Sequence, residues 1–226
     1  MGLTFGRCRD ASGPLMDTAM ALYRRSFPAH ELRLWPDQQA AMNDPLYHFD
    51  LCLLDGVLAG LILYWDFGAY IYVEHLCVEP SMRGHGLGTL ILAELAKKSR
   101  PIILEIDPLT DDVAVRRKGF YERCGYVANG FAHIHPPYQA ANHGHALIVM
   151  SHPRTLSQAE FDTSPSICAR RSWRTAKANE TVNAPGQLPR RGGFIYAVYM
   201  QHSLFAHFRF ISKNTSLFEG GGTPQA

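Results

Sequence analysis

Residues 69–89 read AYIYVEHLCVEPSMRGHGLGT. The run from Tyr70 to Val78 is rich in β-branched and aromatic side chains, which suit a pleated strand. Glu79, Pro80 and Ser81 end it, Arg83 to Gly88 supply RGHGLG, and a helical pattern runs on from Thr89 to Leu95. The stretch therefore predicts a strand that passes through a glycine-rich turn into a helix. Glycine lets backbone come close to a ligand because no Cβ stands between them. A helix start also presents unpaired N–H groups and a partial positive charge. The combination predicts a site for a phosphate or pyrophosphate.

Two familiar phosphate loops fit this turn poorly. A P-loop ends in Gly-Lys followed by Ser or Thr, and no Lys follows Gly88. A dinucleotide fingerprint spaces its glycines GxGxxG, whereas here they fall at Gly84, Gly86 and Gly88, and Glu105 and Asp107 match its distal acid only loosely. What the stretch resembles is the acetyl-CoA loop of the GNAT superfamily of N-acetyltransferases. That pattern is Arg or Gln, two residues, Gly, one residue, then Gly or Ala, and Arg83, Gly86 and Gly88 stand in register with it. Downstream, GFYERCGYV (Gly119 to Val127) resembles the later helix and strand of the same family, with Tyr121 at its characteristic tyrosine. The resemblance covers roughly residues 1–160.

The resemblance implies an α/β (α+β) fold, with a central mixed β-sheet flanked by helices. It implies acetyl-CoA as co-substrate, no metal, and transfer of the acetyl group to a primary amine by direct attack in a ternary complex. Two central parallel strands would splay, and pantetheine would lie between them along Leu76, Cys77 and Val78. Beside Arg83, the backbone of Gly84, His85, Gly86, Leu87, Gly88 and Thr89 would hold the pyrophosphate. Tyr121 would protonate the departing thiolate, a task open to a phenol. Without the resemblance, Tyr121 reads first as a core tyrosine beside Phe120, since aromatics at helical spacing are usually core.

Glu74 is the candidate base. Strand alternation puts Tyr72, Glu74, Leu76 and Val78 on one face and His75 on the other. A carboxylate within YIYVEHLCV is costly to bury without a task or a partner. The alternative is a buried ion pair with an arginine such as Arg33. Phe27, Glu31, Tyr72, His133, His135 and Tyr138 are candidates for the acceptor site, the first two lying in SFPAHELR, a phrase that resembles a substrate-side loop of part of the superfamily. His133 with His135, and His143 with His145, form HxH pairs, but no third ligand is readable and a metal is disfavoured. One departure from the family matters: Ala114 stands where many members carry Asn, seven residues before the tyrosine, leaving Asp111, Arg116 or Arg117 to replace that contact.

Two other classes remain open at this point. One is a non-catalytic acyl-CoA-binding or regulatory module, which needs the turn but neither Tyr121 nor Glu74. The other is a Rossmann-type nucleotide-binding domain. The acceptor is a small-molecule amine or a peptide amine, and Glu31 with Glu74 favours a cationic small molecule.

Composition sets the outer bounds. The 226 residues carry a net charge of +2, too small to argue for nucleic acid. Residues 1–150 hold 13 basic and 16 acidic side chains, and residues 151–226 hold 9 and 4, so the basic character belongs to the C-terminal part. The five cysteines, Cys8, Cys52, Cys77, Cys124 and Cys168, include no CxxC pair, and a reducing cytoplasm suits them best. The N-terminus has no apolar signal core, and the longest uncharged apolar run, Val57 to Trp65, is too short to span a bilayer. A cytoplasmic protein without a membrane partner, compatible with a homodimer, is expected.

In chain order the patterns predict a strand at Leu3 to Cys8, a helix at Pro14 to Phe27 and a short helix at Trp35 to Met42. Strands at Tyr47 to Leu54 and Val57 to Phe67 flank the hairpin pair Asp55-Gly56. After the glycine turn come a helix at Gly88 to Ser99 with Leu90, Leu92 and Leu95 inward, a strand at Pro101 to Ile106 and a helix from Asp111-Asp112 to Arg123. Strands at Tyr126 to Ile134 and Ala146 to Met150 complete the sheet. Ser157 and Glu160 form a capping box that starts one more helix, and Pro165 cannot continue it. The expected division is an acyltransferase domain at 1–162 and an extension at 163–226, largely disordered and outside the enzyme fold, in which aromatics show neither helical nor strand period.

Overall fold

At the Asp55-Gly56 pair the chain turns with φ of 49° and 83°, the left-handed conformation that a two-residue hairpin needs and that Asp and Gly tolerate. On either side of it run β2 (Tyr47–Leu54) and β3 (Val57–Asp66), paired antiparallel. The computed structural model describes residues 2–9, 13, 15–139 and 141–164. The rest of the expected C-terminal extension, from 165 on, lies outside the described residues, together with the expectation about its order.

Around the hairpin the elements follow as β1 (Leu3–Arg7), α1 (Met16–Ser26), α2 (Trp35–Met42), β4 (Ile71–Val78), α3 (Leu87–Ala96), β5 (Ile102–Ile106) and α4 (Asp112–Arg123). Then come the short β6 (Val127–Ala128), β7 (Ile134–His135) and β8 (His145–Ala146), and finally β9 (Ile148–His152). One sheet has seven strands in the order β1-β2-β3-β4-β5-β9-β6, and β7 pairs β8 in a separate ribbon. Within the large sheet β4 and β5 run parallel and the other neighbours antiparallel, so the sheet is mixed.

Helices cover both faces. Ala19, Leu22 and Tyr23 of α1 and Ala41 and Met42 of α2 pack with Leu61, Leu63 and Trp65 on one face. Ile91, Leu92 and Leu95 of α3 and Tyr121 of α4 pack with Ile62, Tyr64, Ile71 and Val73 on the other. Leu90, expected inward, is 52% exposed, and Leu87 and Ile91 take the inward positions instead. A Cβ on Gly60 would come within 2.5 Å of the Cys77 carbonyl oxygen, so β3 and β4 meet there only because residue 60 has no side chain.

The strand alternation read from the sequence fails in the middle of β4. Leu63 pairs with His75 and Tyr64 with Val73, which leaves Glu74 as an inserted residue. This β-bulge reverses the parity of everything after it. Tyr72 stays on the α1 face with Cys77, while Leu76 and Val78 pack against the α3 face. His75, expected on the face opposite Glu74, lies against Tyr23 of α1 and Phe27 at ring distances of 5.0 and 4.5 Å, on the same side as Glu74.

The single strand expected at Tyr126 to Ile134 is divided. After β6 the buried Asn129 takes over: its Nδ2 donates to Ser151 Oγ at 2.9 Å and to the Val149 carbonyl at 3.3 Å, and its Oδ1 accepts from Leu156 N at 2.8 Å. A side chain that bonds to three residues of two segments fixes an irregular path, and the chain leaves the large sheet to form β7. Residues 158–164 are helical and start with the expected box, in which Ser157 N donates to Glu160 Oε2 at 2.8 Å and Glu160 N donates to Ser157 Oγ at 3.3 Å. Ser164 is buried and its carbonyl accepts from the Tyr70 hydroxyl at 2.9 Å, so packing runs at least two residues past Asp162.

Candidate active site

Parallel pairing between β4 and β5 covers Ile71 to Val73 against Ile102 to Leu104 and stops there. The bulge at Glu74 bends β4 where the pairing ends, so the two strands part from Glu74 and Glu105 onward. Along residues 74–78 β4 keeps its β3 neighbour and has no β5 partner among the described residues. Leu76 and Val78 are half-buried on the α3 side of this gap, and Cys77 is buried on the α1 side.

At the end of β4 the glycine turn has the shape its composition predicts. Gly84 and Gly86 sit at φ of 82° and 75°, and a Cβ at either would meet nothing within 4 Å, so the turn faces open space. Gly86 is the N-cap of α3, and no side chain among the described residues bonds to the first N–H groups of that helix. The N–H groups of Leu87, Gly88 and Thr89 are therefore left for a ligand. Gly88 has a second duty: a Cβ there would stand 3.0 Å from Phe120, so the glycine lets α3 lie close to α4. Arg83 folds back, its Nε donating to the Val78 carbonyl at 3.1 Å, and His85 is exposed. Of the replacements considered for the missing asparagine, Asp111 is used as the N-cap of α4, accepting from Ala114 N at 2.8 Å, and Arg117 pairs with Asp107.

Tyr121 lies in the core between α4 and the sheet, with Phe120 and Tyr126 rings at 5.1 and 5.7 Å. Burial pushes its phenol up to about 12, with Arg117 acting weakly in the opposite sense. Tyr121 and Glu74 are not brought together: they stand on opposite faces of the sheet, with the strand gap between them.

Glu74 takes the ion-pair form. Arg33 Nη1 donates to its Oε2 at 2.6 Å, Arg33 Nη2 bonds to Oε1, and Trp65 Nε1 donates to Oε1 at 2.9 Å. Both side chains of the pair are 1% exposed. Burial alone would raise the Glu74 carboxyl, but the Arg33 guanidinium overrides it and holds the group below its usual range. Both oxygens are thus committed, and a carboxylate so stabilised is a weak base. The guanidinium itself lies 4.9 Å from the Tyr138 ring centre and 5.4 Å from that of Tyr47.

A cleft opens on the α1 side of the strand gap. Glu31, Tyr72, Glu74, His135 and Tyr138 line it, and so do His75, Glu105, Asp107, Arg117 and His145, which the sequence reading did not place there. Phe27 stands behind His75 and His133 behind Glu105, rather than in the cleft wall. Glu105 is the main omission. Its Oε2 accepts from the Tyr72 hydroxyl at 3.0 Å, His133 Nε2 lies 2.8 Å from Oε1 and His135 Nε2 lies 3.8 Å from Oε2. Burial would raise this carboxyl, yet the contacts with His133 and then His135 leave it lowered. The signal was present in IILEI, where an acid in an apolar strand calls for the same question that Glu74 raised. At the mouth, burial and then the neighbouring Asp107 raise the Glu31 carboxyl. Arg33 answers Glu74 and Arg117 answers Asp107, which leaves Glu31 and Glu105 to give the cleft an acidic character suited to a cation. No group of three His, Cys, Asp or Glu side chains among the described residues is arranged to hold a metal ion.

His75 gives this site an acid sensitivity. Its Nε2 sits 3.1 Å from the Glu31 carbonyl, which only accepts, so Nε2 carries the proton. Burial drives its pKa down to about 4. The unfolded chain takes up that proton near pH 6.5 and the folded chain does not, so stability is full above pH 6.5 and falls as pH drops toward 4. The expected loss between pH 7 and 4 is about 3 kcal/mol, at ~1.4 kcal/mol per pH unit. Urea unfolding across this range checks it, with His75→Phe expected to flatten the slope and an equal slope in both proteins contradicting it.

Residues 16–126 match the Acetyltransferase (GNAT) family. With the mixed sheet, the parted parallel strands and the glycine turn, this segment is a domain of that family. YjbC of Bacillus subtilis (strain 168), a provisionally assigned acetyltransferase, is 32% identical over 101 residues, which are 43% of this chain and 50% of that protein. The chain thus spans about half the length of that relative. A provisionally assigned GNAT-family acetyltransferase from Bacteroides thetaiotaomicron superposes with a TM-score of 0.68 at 25% identity, over 73% of this chain and 94% of the other. No helix among the described residues is long and apolar enough to cross a membrane.

Proposed function

We propose that this domain is an acetyl-CoA-dependent N-acetyltransferase acting on a primary amine. One observation carries the reading: the gap between β4 and β5 opens directly above a left-handed glycine turn whose helix start has no side-chain cap. Pantetheine would lie along Leu76 to Val78, and the pyrophosphate would take the N–H groups from Gly84 to Thr89. That arrangement supplies a chain of backbone donors at the strand edge and a compact anion site at the turn. The thioester would then sit in the gap, with the acidic cleft on the α1 side of the sheet and Tyr121 on the other. The amine would enter through the cleft and attack the carbonyl carbon, the C–S bond would break, and Tyr121 would protonate the sulfur. Fixing both substrates in one geometry supplies much of the acceleration. Glu74 holds the cleft wall through Arg33 in this reading and takes no proton. The acceptor is a small cationic amine or a peptide amine.

Coenzyme A should raise the melting temperature of the wild-type chain, because only the folded turn binds it. Gly86→Glu should abolish the shift by placing a carboxylate in the anion site, while Gly86→Ala, which strains the same φ without charge, should keep part of it. Equal shifts in wild type and Gly86→Glu would refute the turn as the pyrophosphate site.

A further inference from the structure

The geometry points to His135 as the base that takes the amine proton, through its Nδ1, with Glu105 as the positioning residue that fixes its tautomer. The inference rests on the acyl-transfer reading above and assigns it a residue which the strand-borne Glu74 cannot replace.

His135 is 5% exposed and lines the cleft, and its Nδ1 has no hydrogen-bond partner among the described residues. A buried lone acceptor is uncommon and calls for a ligand donor. Its other nitrogen faces Glu105 Oε2 at 3.8 Å. That distance is too long for a hydrogen bond, but a carboxylate only accepts, and its field favours the proton on Nε2 and leaves Nδ1 with its lone pair. Glu105 itself accepts from the Tyr72 hydroxyl at 3.0 Å, and His133 Nε2 lies 2.8 Å from its other oxygen.

The remaining groups around His135 agree with this role. From β4, His75 stays neutral and Glu74 is spent on Arg33. From β8, the His145 ring is 5.9 Å away, and burial and then His135 itself lower its pKa. Tyr138 lies 4.9 Å away. Asp107, beyond Glu105 on the same chain segment, is paired with Arg117 of α4. Among the described residues the carboxylate beside the ring is that of Glu105, 3.8 Å from Nε2, and it stabilises the imidazolium as it forms. In the step, the amine nitrogen bonds to the thioester carbonyl carbon and its proton passes to His135 Nδ1. The C–S electron pair leaves on sulfur, which takes a proton from Tyr121, and water takes the proton from His135 and restores that of Tyr121.

The test has two arms on the full chain. Imidazole ¹⁵N NMR should show neutral His135 as the Nε2–H tautomer, with the preference lost in Glu105→Gln and retained in Glu105→Asp. An Nδ1–H tautomer in the wild type would overturn the proposal without reference to turnover. In the kinetic arm, thiol release from acetyl-CoA with 1,4-diaminobutane should fall about 10²- to 10⁴-fold in kcat for His135→Gln, with the coenzyme A melting shift unchanged. Glu105→Gln should lower kcat and Glu105→Asp should recover most of it, because the carboxylate returns a counter-charge to the imidazolium that forms. A His135→Gln rate within threefold of a wild type that does turn over would overturn the base assignment alone. Coenzyme A binding without thiol release from any amine by the wild type would overturn the acyl-transfer reading itself.

Discussion

Arg33→Ala should cost about 3–5 kcal/mol of folding stability, the usual penalty for leaving one member of a buried ion pair without the other. The Glu74 carboxylate would keep only the Trp65 N–H, in a position that is 1% exposed. Part of the loss is packing, since the guanidinium also fills the space between the Tyr47 and Tyr138 rings. Replacing both charges by apolar groups, Arg33→Met with Glu74→Leu, should recover most of the stability, because an apolar pair of similar size carries no desolvation penalty. Urea unfolding at pH 7 reads both variants. A single-variant loss under 1 kcal/mol would show that water reaches the pair, and the account of Glu74 as a fixed structural charge would fall.

Tyr121→Phe should lower kcat by about 10²- to 10⁴-fold while leaving the coenzyme A melting shift in place, because it deletes a proton donor and keeps the ring. The ring's neighbours, Phe120 and Tyr126, pack equally well on phenylalanine. With burial holding the phenol near pH 12, Tyr121 keeps its proton throughout the working range. No limb of the wild-type pH profile below pH 11 should therefore belong to it, and the variant's profile should be scaled down without a change of shape. A rate within threefold of wild type at saturating substrates would remove Tyr121 from the mechanism.

The elements set by local chemistry were legible in the chain. Trp35–Met42 and Tyr47–Leu54 have the bounds that their patterns predict, the Asp55-Gly56 turn is left-handed, and Ser157 and Glu160 close their capping box. Two glycines of the RGHGLG turn take the positive φ that makes the site. What stayed hidden depends on pairing between distant segments. The bulge at Glu74 inserts one residue without any mark in composition, and it alone moves His75 to the cleft side and Leu76 and Val78 away from it. Arg33 as the partner of Glu74 was readable only as one option, because 41 residues separate the two. Glu105 was harder still: its partners Tyr72, His133 and His135 come from β4, the segment before β7, and β7, and no spacing along the chain announces that they converge. The Asn129 hub that divides the strand expected at Tyr126 to Ile134 has the same origin.

The measurement that tests the central claim most directly is release of free thiol from acetyl-CoA by the full chain, assayed across a panel of cationic small amines, amino acids and peptide N-termini. The account predicts amine-dependent release, fastest with a cationic small amine or basic peptide, and absent in Gly86→Glu. Coenzyme A binding without release for any amine would contradict it and leave an acyl-CoA-binding module in its place.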